Sequence, residues 1–220
     1  MNKELENIYR NRFHNSERQR DAVWKVLVER FFQRWIQPDA TVLDLGAGYC
    51  TFINNVKAGR RYALDLNPDT LQFAAEGVRV LKHDATEAWP VGDVSVDVVF
   101  TSNFLEHLPS KANLLSCLHE AYRVLRTGGT LLALGPNVRF CGDVYWDFFD
   151  HYLPLSDRSV AEALQLAGFN VEQIIPRFLP YTMKSKLPPS PILLRAYLSI
   201  PAAWRLLGKQ FLVVARKVSA

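Results

Sequence analysis

Thr41-Val42-Leu43-Asp44-Leu45-Gly46-Ala47-Gly48 is the stretch that decides the fold class. A short β-branched and leucine-rich run leads into two glycines one residue apart. It reads as a buried strand that turns sharply at its carboxyl end. Working outward, RYALDL (61–66), VRVLKHD (78–84), VDVVFTS (96–102) and GTLLALGP (129–136) have the same character. Helices are expected between them: one after Gly48, one over 68–76, and one over 110–126 that ends at Gly128-Gly129. Such alternation predicts an open α/β sheet, mostly parallel, with crossover helices. Upstream, residues 3–36 read as helix, stopped by Pro38. Downstream, Ser156 or Asp157 caps a helix that runs to Leu166 and stops at Gly168, and strands follow at 169–175 and 210–218. Six prolines crowd residues 176–209, and Pro201 should divide ILLRAYLSIPAAWRLLG into two short helices.

The 220 residues suffice for one full hydrophobic core. With 49% hydrophobic and 22% charged residues, the composition excludes disorder, collagen and a coiled-coil rod. The opening MNKELENIYRNRF is charged within three residues, and no run approaches the roughly 20 apolar residues of a spanning helix. Cys50, Cys117 and Cys141 are scattered and odd in number, which fits a reducing, cytoplasmic setting. His14, His83, His107, His119 and His151 lack zinc-ligand spacing, so no metal is expected. The net charge of +4 is unevenly spread. Residues 173–220 carry eight basic side chains and no acidic one, which leaves 18 basic against 22 acidic in residues 1–172. A basic tail on an acidic body suits an anionic substrate, a membrane surface or nucleic acid, or is simply a solvated face.

Asp65 stands 21 residues after Asp44, at the end of the second strand. A carboxylate there is placed to accept hydrogen bonds from both ribose hydroxyls of a nucleoside. A dinucleotide fingerprint is disfavoured: Thr51 holds the third glycine position, and Asp44 would face a pyrophosphate. The same acid suits a cationic ligand.

VLDLGAG (42–48), ALDLNPD (63–69), HDATE (83–87), SNFLEHL (102–108) and RVLRTGGTLLALGPN (123–137) together resemble the successive motifs of class I S-adenosylmethionine (SAM)-dependent methyltransferases, of the small-molecule and glycan group. The resemblance implies a Rossmann-like seven-stranded sheet of order 3-2-1-4-5-7-6, mostly parallel with the last strand antiparallel. It implies SAM as cofactor and S-adenosylhomocysteine as product. Asp44, Gly46, Ala47 and Gly48 would line the methionine end, Asp65 would hold the ribose, and Leu66 would lie beside the adenine. Asp84 and Ala85 would sit at the adenine edge, and Ser102, Asn103 and Phe104 would face the methyl group. Many members have a glycine where this chain has Cys50.

Methyl transfer from a sulfonium needs alignment, and a base if the nucleophile is a hydroxyl. Between Asn137 and Tyr152 the chain gathers aromatics with a few polar groups, the make-up of a small-molecule pocket or a sugar platform. His151 is the expected base, with His107 the second choice and Asp150 or Asp147 orienting it. Glu106 reads as a solvated helix residue or as part of the motif. Asn137, Arg139, Tyr145, Trp146, Phe149, Tyr152, Tyr181 and Lys184 are the expected acceptor contacts. The domain organisation that follows is a helical cap (1–38), a cofactor-binding core (39–137), an aromatic acceptor loop (138–155), and the rest of the sheet (156–220) with a basic, proline-rich insertion at 176–209. The favoured acceptor is a small molecule or glycan bearing a hydroxyl, with anionic groups an option. N- or C-methylation of a metabolite and contact with a membrane surface stay open. Nucleic acid is not expected, because Thr101-Ser102-Asn103-Phe104 stands where a base-methylating motif would be. A nicotinamide oxidoreductase and a non-catalytic binding module are the other classes weighed. Oligomeric state is not legible.

Overall fold

The computed structural model describes residues 17–181 and 190–218. Seven strands form one sheet: β1 (Thr41–Leu45), β2 (Arg60–Asp65), β3 (Val78–Lys82), β4 (Val96–Ser102), β5 (Leu125–Pro136), β6 (Phe169–Ile175) and β7 (Gln210–Lys217). Their order is β3-β2-β1-β4-β5-β7-β6, with β7 antiparallel to both neighbours and the other pairs parallel. Order, class and reversed last strand are those expected.

The central strands are apolar on both faces, as strands covered on both sides must be. Leu43, Leu45, Val99, Leu131, Ala133 and Val213 face one layer, which contains α3 (Lys111–Val124) and α5 (Asp157–Leu166). Val42, Val98, Phe100, Leu132, Leu134 and Val214 face the other. That second layer is built from α1 (Glu17–Arg30), a 3-10 turn at Phe32–Trp35, residues 47–56, α6 (Pro191–Leu198) and α7 (Pro201–Leu207). Aromatic rings lock it. Phe52 stacks on Phe100 with ring centres 3.7 Å apart, and Phe31 meets Phe178 at 4.2 Å and Trp204 at 5.7 Å. The short helices α2 (Thr70–Phe73) and α4 (Val138–Cys141) complete the set.

Several local expectations are corrected. No regular helix follows Gly48. Gly48 and Cys50 both adopt left-handed φ (+49° and +56°), so the chain cannot enter a helix until Thr51, and residues 51–55 make only turns. The helix expected over 68–76 shrinks to the four residues of α2. α3 stops at Val124 rather than at Gly128-Gly129, because Leu125 already pairs with Val96 and β5 begins there. Of the helix expected over 3–36, α1 and the following turn are seen, and residues 3–16 lie outside the described residues. Pro201 does separate α6 from α7, and Ser156 caps α5 with a reciprocal Ser159 bond.

Much of the tail's positive charge is used internally. Arg177 donates to the Gly208 and Leu206 carbonyls at 2.8 and 2.6 Å. Arg216 pairs with Glu172 at 2.6 Å, and the Lys217 ammonium donates to the Tyr122 and Leu125 carbonyls at the end of α3. Among the described residues no helix is long and apolar enough to cross a membrane.

Candidate active site

Because β1 to β5 run parallel, their carboxyl ends open on one edge, where open α/β sheets place their ligands. Gly46, Ala47 and Gly48 follow β1, Asp65 and Leu66 end β2, and Asp84 and Ala85 follow β3. Ser102, Asn103 and Phe104 end β4. The cofactor residues expected from the motifs therefore share one edge.

Two carboxylates anchor this edge, Asp44 buried and Asp65 half-buried. Asp44 sits within β1, 3% exposed; burial, and then the nearby Asp65, hold its carboxyl well above the usual range. Burial also raises Asp65, while N–H groups of Asn67, Gly48 and Leu66 pull it partly back. Its two oxygens accept from Gly48 N–H at 2.7 Å and from Asn67 N–H at 2.8 Å, so Asp65 shapes the glycine turn as well as facing the edge. A carboxylate keeps lone pairs beyond these two bonds. No lysine or arginine among the described residues pairs with either acid.

Phe104 lies directly over the turn. A Cβ on Gly46 would stand 2.3 Å from the Phe104 ring, and Gly46 has φ +70°. Asn103 also has positive φ (+49°), tolerable for asparagine, and its side chain donates to Ser102 Oγ at 2.9 Å. Asp84 accepts from both Thr86 N–H and Thr86 Oγ–H at 2.8 Å, which is turn chemistry.

Beyond Phe104 three side chains meet that are far apart in sequence. Glu106, His107 and His151 bring one ligand-type atom each to within 4.8 Å of one another. The His107 and His151 rings meet edge-on at 5.0 Å. Glu106 is 2% exposed, not solvated; burial raises its carboxyl, opposed by His107. Its carbonyl accepts from Tyr152 and Leu153 N–H at 2.9 and 3.1 Å, which pins the aromatic loop to the end of β4. Asp150 engages His107: its carbonyl lies 2.7 Å and its carboxylate 3.5 Å from Nδ1. His151 is held between Phe148 (5.0 Å, stacked) and Tyr145 (4.8 Å). Sequence reasoning missed Glu106 as a partner, although its place beside His107 in SNFLEHL was the available signal. The expectation of no metal rested on spacing along the chain; the fold brings these three side chains together from two distant segments.

The expected acceptor contacts divide. Asn137 is fully buried: its Nδ2 donates to Asp157 at 2.7 Å and to the Pro176 carbonyl at 2.9 Å, and its Oδ1 accepts from Arg139 N–H. Arg139 pairs with Asp157 at 2.8 Å. Tyr145 is fully buried, its hydroxyl spent between the Leu153 carbonyl and Leu155 N–H. Asn137 and Tyr145 thus have their polar side-chain atoms committed internally, whereas the Arg139 side chain stays 36% exposed. Trp146, Phe149 and Tyr152 are exposed, and Tyr181 touches Phe148 edge-on at 5.7 Å. Lys184 lies outside the described residues. Truncating Asn137 to alanine strips partners from buried groups. We expect a loss of about 2–3 kcal/mol, a fall in Tm of roughly 4–12 °C by calorimetry, and no change in cofactor affinity.

Residues 43–133 match the family described as Methyltransferase domain. A Mycolicibacterium smegmatis protein named a probable S-adenosylmethionine-dependent methyltransferase is 32% identical over 156 residues, 69% of this chain. The match spans 59% of that relative's length. Among solved structures, a SAM-dependent methyltransferase from Archaeoglobus fulgidus superposes with a TM-score of 0.69 at 20% identity, covering 93% of this chain and 99% of that one. The partner of the Trm112 methyltransferase activator in a Haloferax volcanii complex superposes at 0.68 with 18% identity, covering 94% and 95%. Likeness at these identities speaks for the fold. The family match, the relative and the fold agree: residues 43–133 carry a methyltransferase domain, and together they support a class I SAM-dependent methyltransferase, which implies SAM as cofactor.

Proposed function

We propose that the protein transfers the methyl group of SAM to a hydroxyl of a small, sugar-like acceptor. The observation that carries this reading is the pair of acids at the carboxyl edge, Asp44 buried and Asp65 half-buried, with no basic side chain paired with them among the described residues. A buried carboxylate calls for a counter-charge, and SAM brings a sulfonium and an ammonium but no phosphate. The residues present therefore fit the cofactor. When bound, it supplies an electrophilic methyl group on a good, neutral leaving group.

The chain's own groups supply the rest. Asp65 accepts the ribose hydroxyls. Asp44 and the Gly46–Gly48 turn hold the methionine end, where the absent Cβ of Gly46 lets backbone approach closely. Leu66, Asp84 and Ala85 border the adenine, and Ser102, Asn103 and Phe104 face the methyl group. The acceptor rests on the exposed rings of Trp146, Phe149 and Tyr152, with Tyr181 beside them. Its hydroxyl meets His107, His151 and Glu106, where its proton is removed. Asp150 is a positioning residue that acts through His107. The work of the site is alignment, which can supply several kcal/mol of the barrier.

Deuteriomethyl-labelled SAM incubated with the whole chain and a metabolite or glycan extract tests this by mass spectrometry. Label is expected on an oxygen of a saccharide-like species. Label on an amine or carbon would remove the hydroxyl assignment, and no label on any species would remove the transferase reading.

A second reading concerns where the acceptor is met. Ile192, Leu193, Leu206 and Leu207 on α6 and α7, and Ile200 between them, are exposed, with Arg195 and Arg205 exposed among them. Leu194, Tyr197 and Trp204 pack inward, so the helices are anchored while this face is open. Apolar residues with arginines and no acid suit the surface of an anionic bilayer. Co-flotation with anionic vesicles is expected, and weaker with neutral ones. Equal absence from both would discard the idea.

A further inference from the structure

We propose that Glu106, His107 and His151 form a binding site for a divalent first-row transition cation such as Zn²⁺ or Mn²⁺. The three potential ligand atoms already lie within 4.8 Å of one another. Ligands of such ions sit about 2.0–2.2 Å from the metal, so a shared ion needs them roughly 3–4 Å apart. The remaining closure is at most about 0.4–0.9 Å per side chain. Two imidazoles with one carboxylate match this class of cation and suit magnesium or calcium poorly.

Three further observations point the same way. First, Glu106 is a buried carboxylate with no lysine or arginine partner among the described residues. A charge in that position is costly unless a cation meets it. Second, His107 has the outer hydrogen bond and the tautomer that metal-ligating histidines have. A carbonyl can only accept, so Nδ1 donates its proton to the Asp150 oxygen at 2.7 Å, and in the neutral ring the lone pair is on Nε2. Third, the site is pinned by structure that does not depend on the ion. The Glu106 carbonyl holds Tyr152 and Leu153, and the Phe148 and Tyr145 rings hold His151.

The use of such an ion rests on the methyl-transfer reading; its binding does not. Phe104, which covers the Gly46 turn, precedes Glu106 by two residues, so the ion would lie next to the cofactor edge. The acceptor oxygen would complete the metal's coordination, which lowers the hydroxyl's pKa. Its O–H bond breaks and the proton leaves to water. The oxygen then forms the new O–CH₃ bond as the S–CH₃ bond breaks, with that electron pair staying on sulfur. The imidazoles then act as ligands rather than as proton acceptors.

The test uses the whole chain after chelator dialysis. Mn²⁺ is titrated by electron paramagnetic resonance, with Zn²⁺ as competitor and SAM affinity measured in parallel by calorimetry. One Mn²⁺ per chain is expected, displaced by Zn²⁺. Glu106→Gln and His151→Asn should each weaken it by more than the roughly 10–100-fold that loss of an outer-shell partner costs. SAM affinity should stay within about twofold in Glu106→Gln, which also shows that the variant folds. Wild type that binds no more tightly than Glu106→Gln, or Zn²⁺ that fails to displace Mn²⁺, overturns the site. Metal bound without SAM bound would leave the site standing and remove the methyl-transfer reading instead.

Discussion

Asp65→Ala is expected to raise the dissociation constant for SAM by at least about 100-fold, since hydrogen bonds to a charged group are worth roughly 1.5–3 kcal/mol each and two ribose hydroxyls lose theirs. Stability should fall too, because Gly48 and Asn67 N–H lose their acceptor. Asp65→Asn separates the two effects. It keeps an oxygen for one of those donors but has no charge for the cofactor, so most of the affinity loss should persist with a smaller drop in Tm. Calorimetric titration beside thermal unfolding reads both. Unchanged SAM affinity in Asp65→Ala would remove this acid from the site.

The same acids set a pH dependence. Asp44 and Asp65 have folded pKa values above the ordinary carboxylate value, chiefly through burial. For the free protein the stability contribution is therefore fully present below the ordinary value, near pH 4, and is lost as pH rises through the raised ones. A cationic ligand prefers the ionised acids. SAM affinity should thus decline as pH falls through the raised pKa values, and the Tm increment given by SAM should shrink with it. An increment that stays constant down to the ordinary carboxylate value would mean that neither acid faces the ligand's charge.

Gly46→Ala should be strongly damaging for a single added methyl group. The new Cβ would stand 2.3–2.7 Å from Phe104 Cγ, Cδ2 and Cβ, and an L-residue must also hold φ +70°. Left-handed backbone costs roughly 1–2 kcal/mol and overpacking about 1–3. A total of about 2–5 kcal/mol corresponds to a Tm fall of roughly 4–20 °C, with SAM binding lost. Phe104→Ala should relieve the steric part only. The double variant is expected to be more stable than the two single losses added together, by about 1–3 kcal/mol of coupling. Strict additivity would show that the ring and the turn do not touch.

Local pattern made some of this legible and not the rest. The strands at 41–66 could be read because apolar, β-branched runs closed by glycine or aspartate have few other uses in a folded chain. The acids at 44 and 65 could be read because one crossover between two neighbouring parallel strands sets their spacing. The helix expected after Gly48 failed because helical periodicity does not register the backbone sign of Gly48 and Cys50. The extent of α3 failed because β5 pairing captured Leu125 before any glycine could end the helix.

Glu106 and Asn137 show the other limit. Both are polar residues beside a loop, and nothing in their neighbours along the chain distinguishes a solvated side chain from a buried one. Glu106 is buried because Tyr152 and Leu153, over 45 residues later, donate to its carbonyl and lay the aromatic loop across it. Asn137 is buried because Asp157 and Pro176 converge on its amide. By itself the sequence determined the strands, their mostly parallel α/β arrangement and the place of Asp44 and Asp65 near one sheet edge, because these follow from short-range periodicity and spacing. Only the tertiary structure decided which polar residues became frame and which became site. That choice is made by long-range contacts, where a buried polar group persists only if a distant partner arrives to satisfy it.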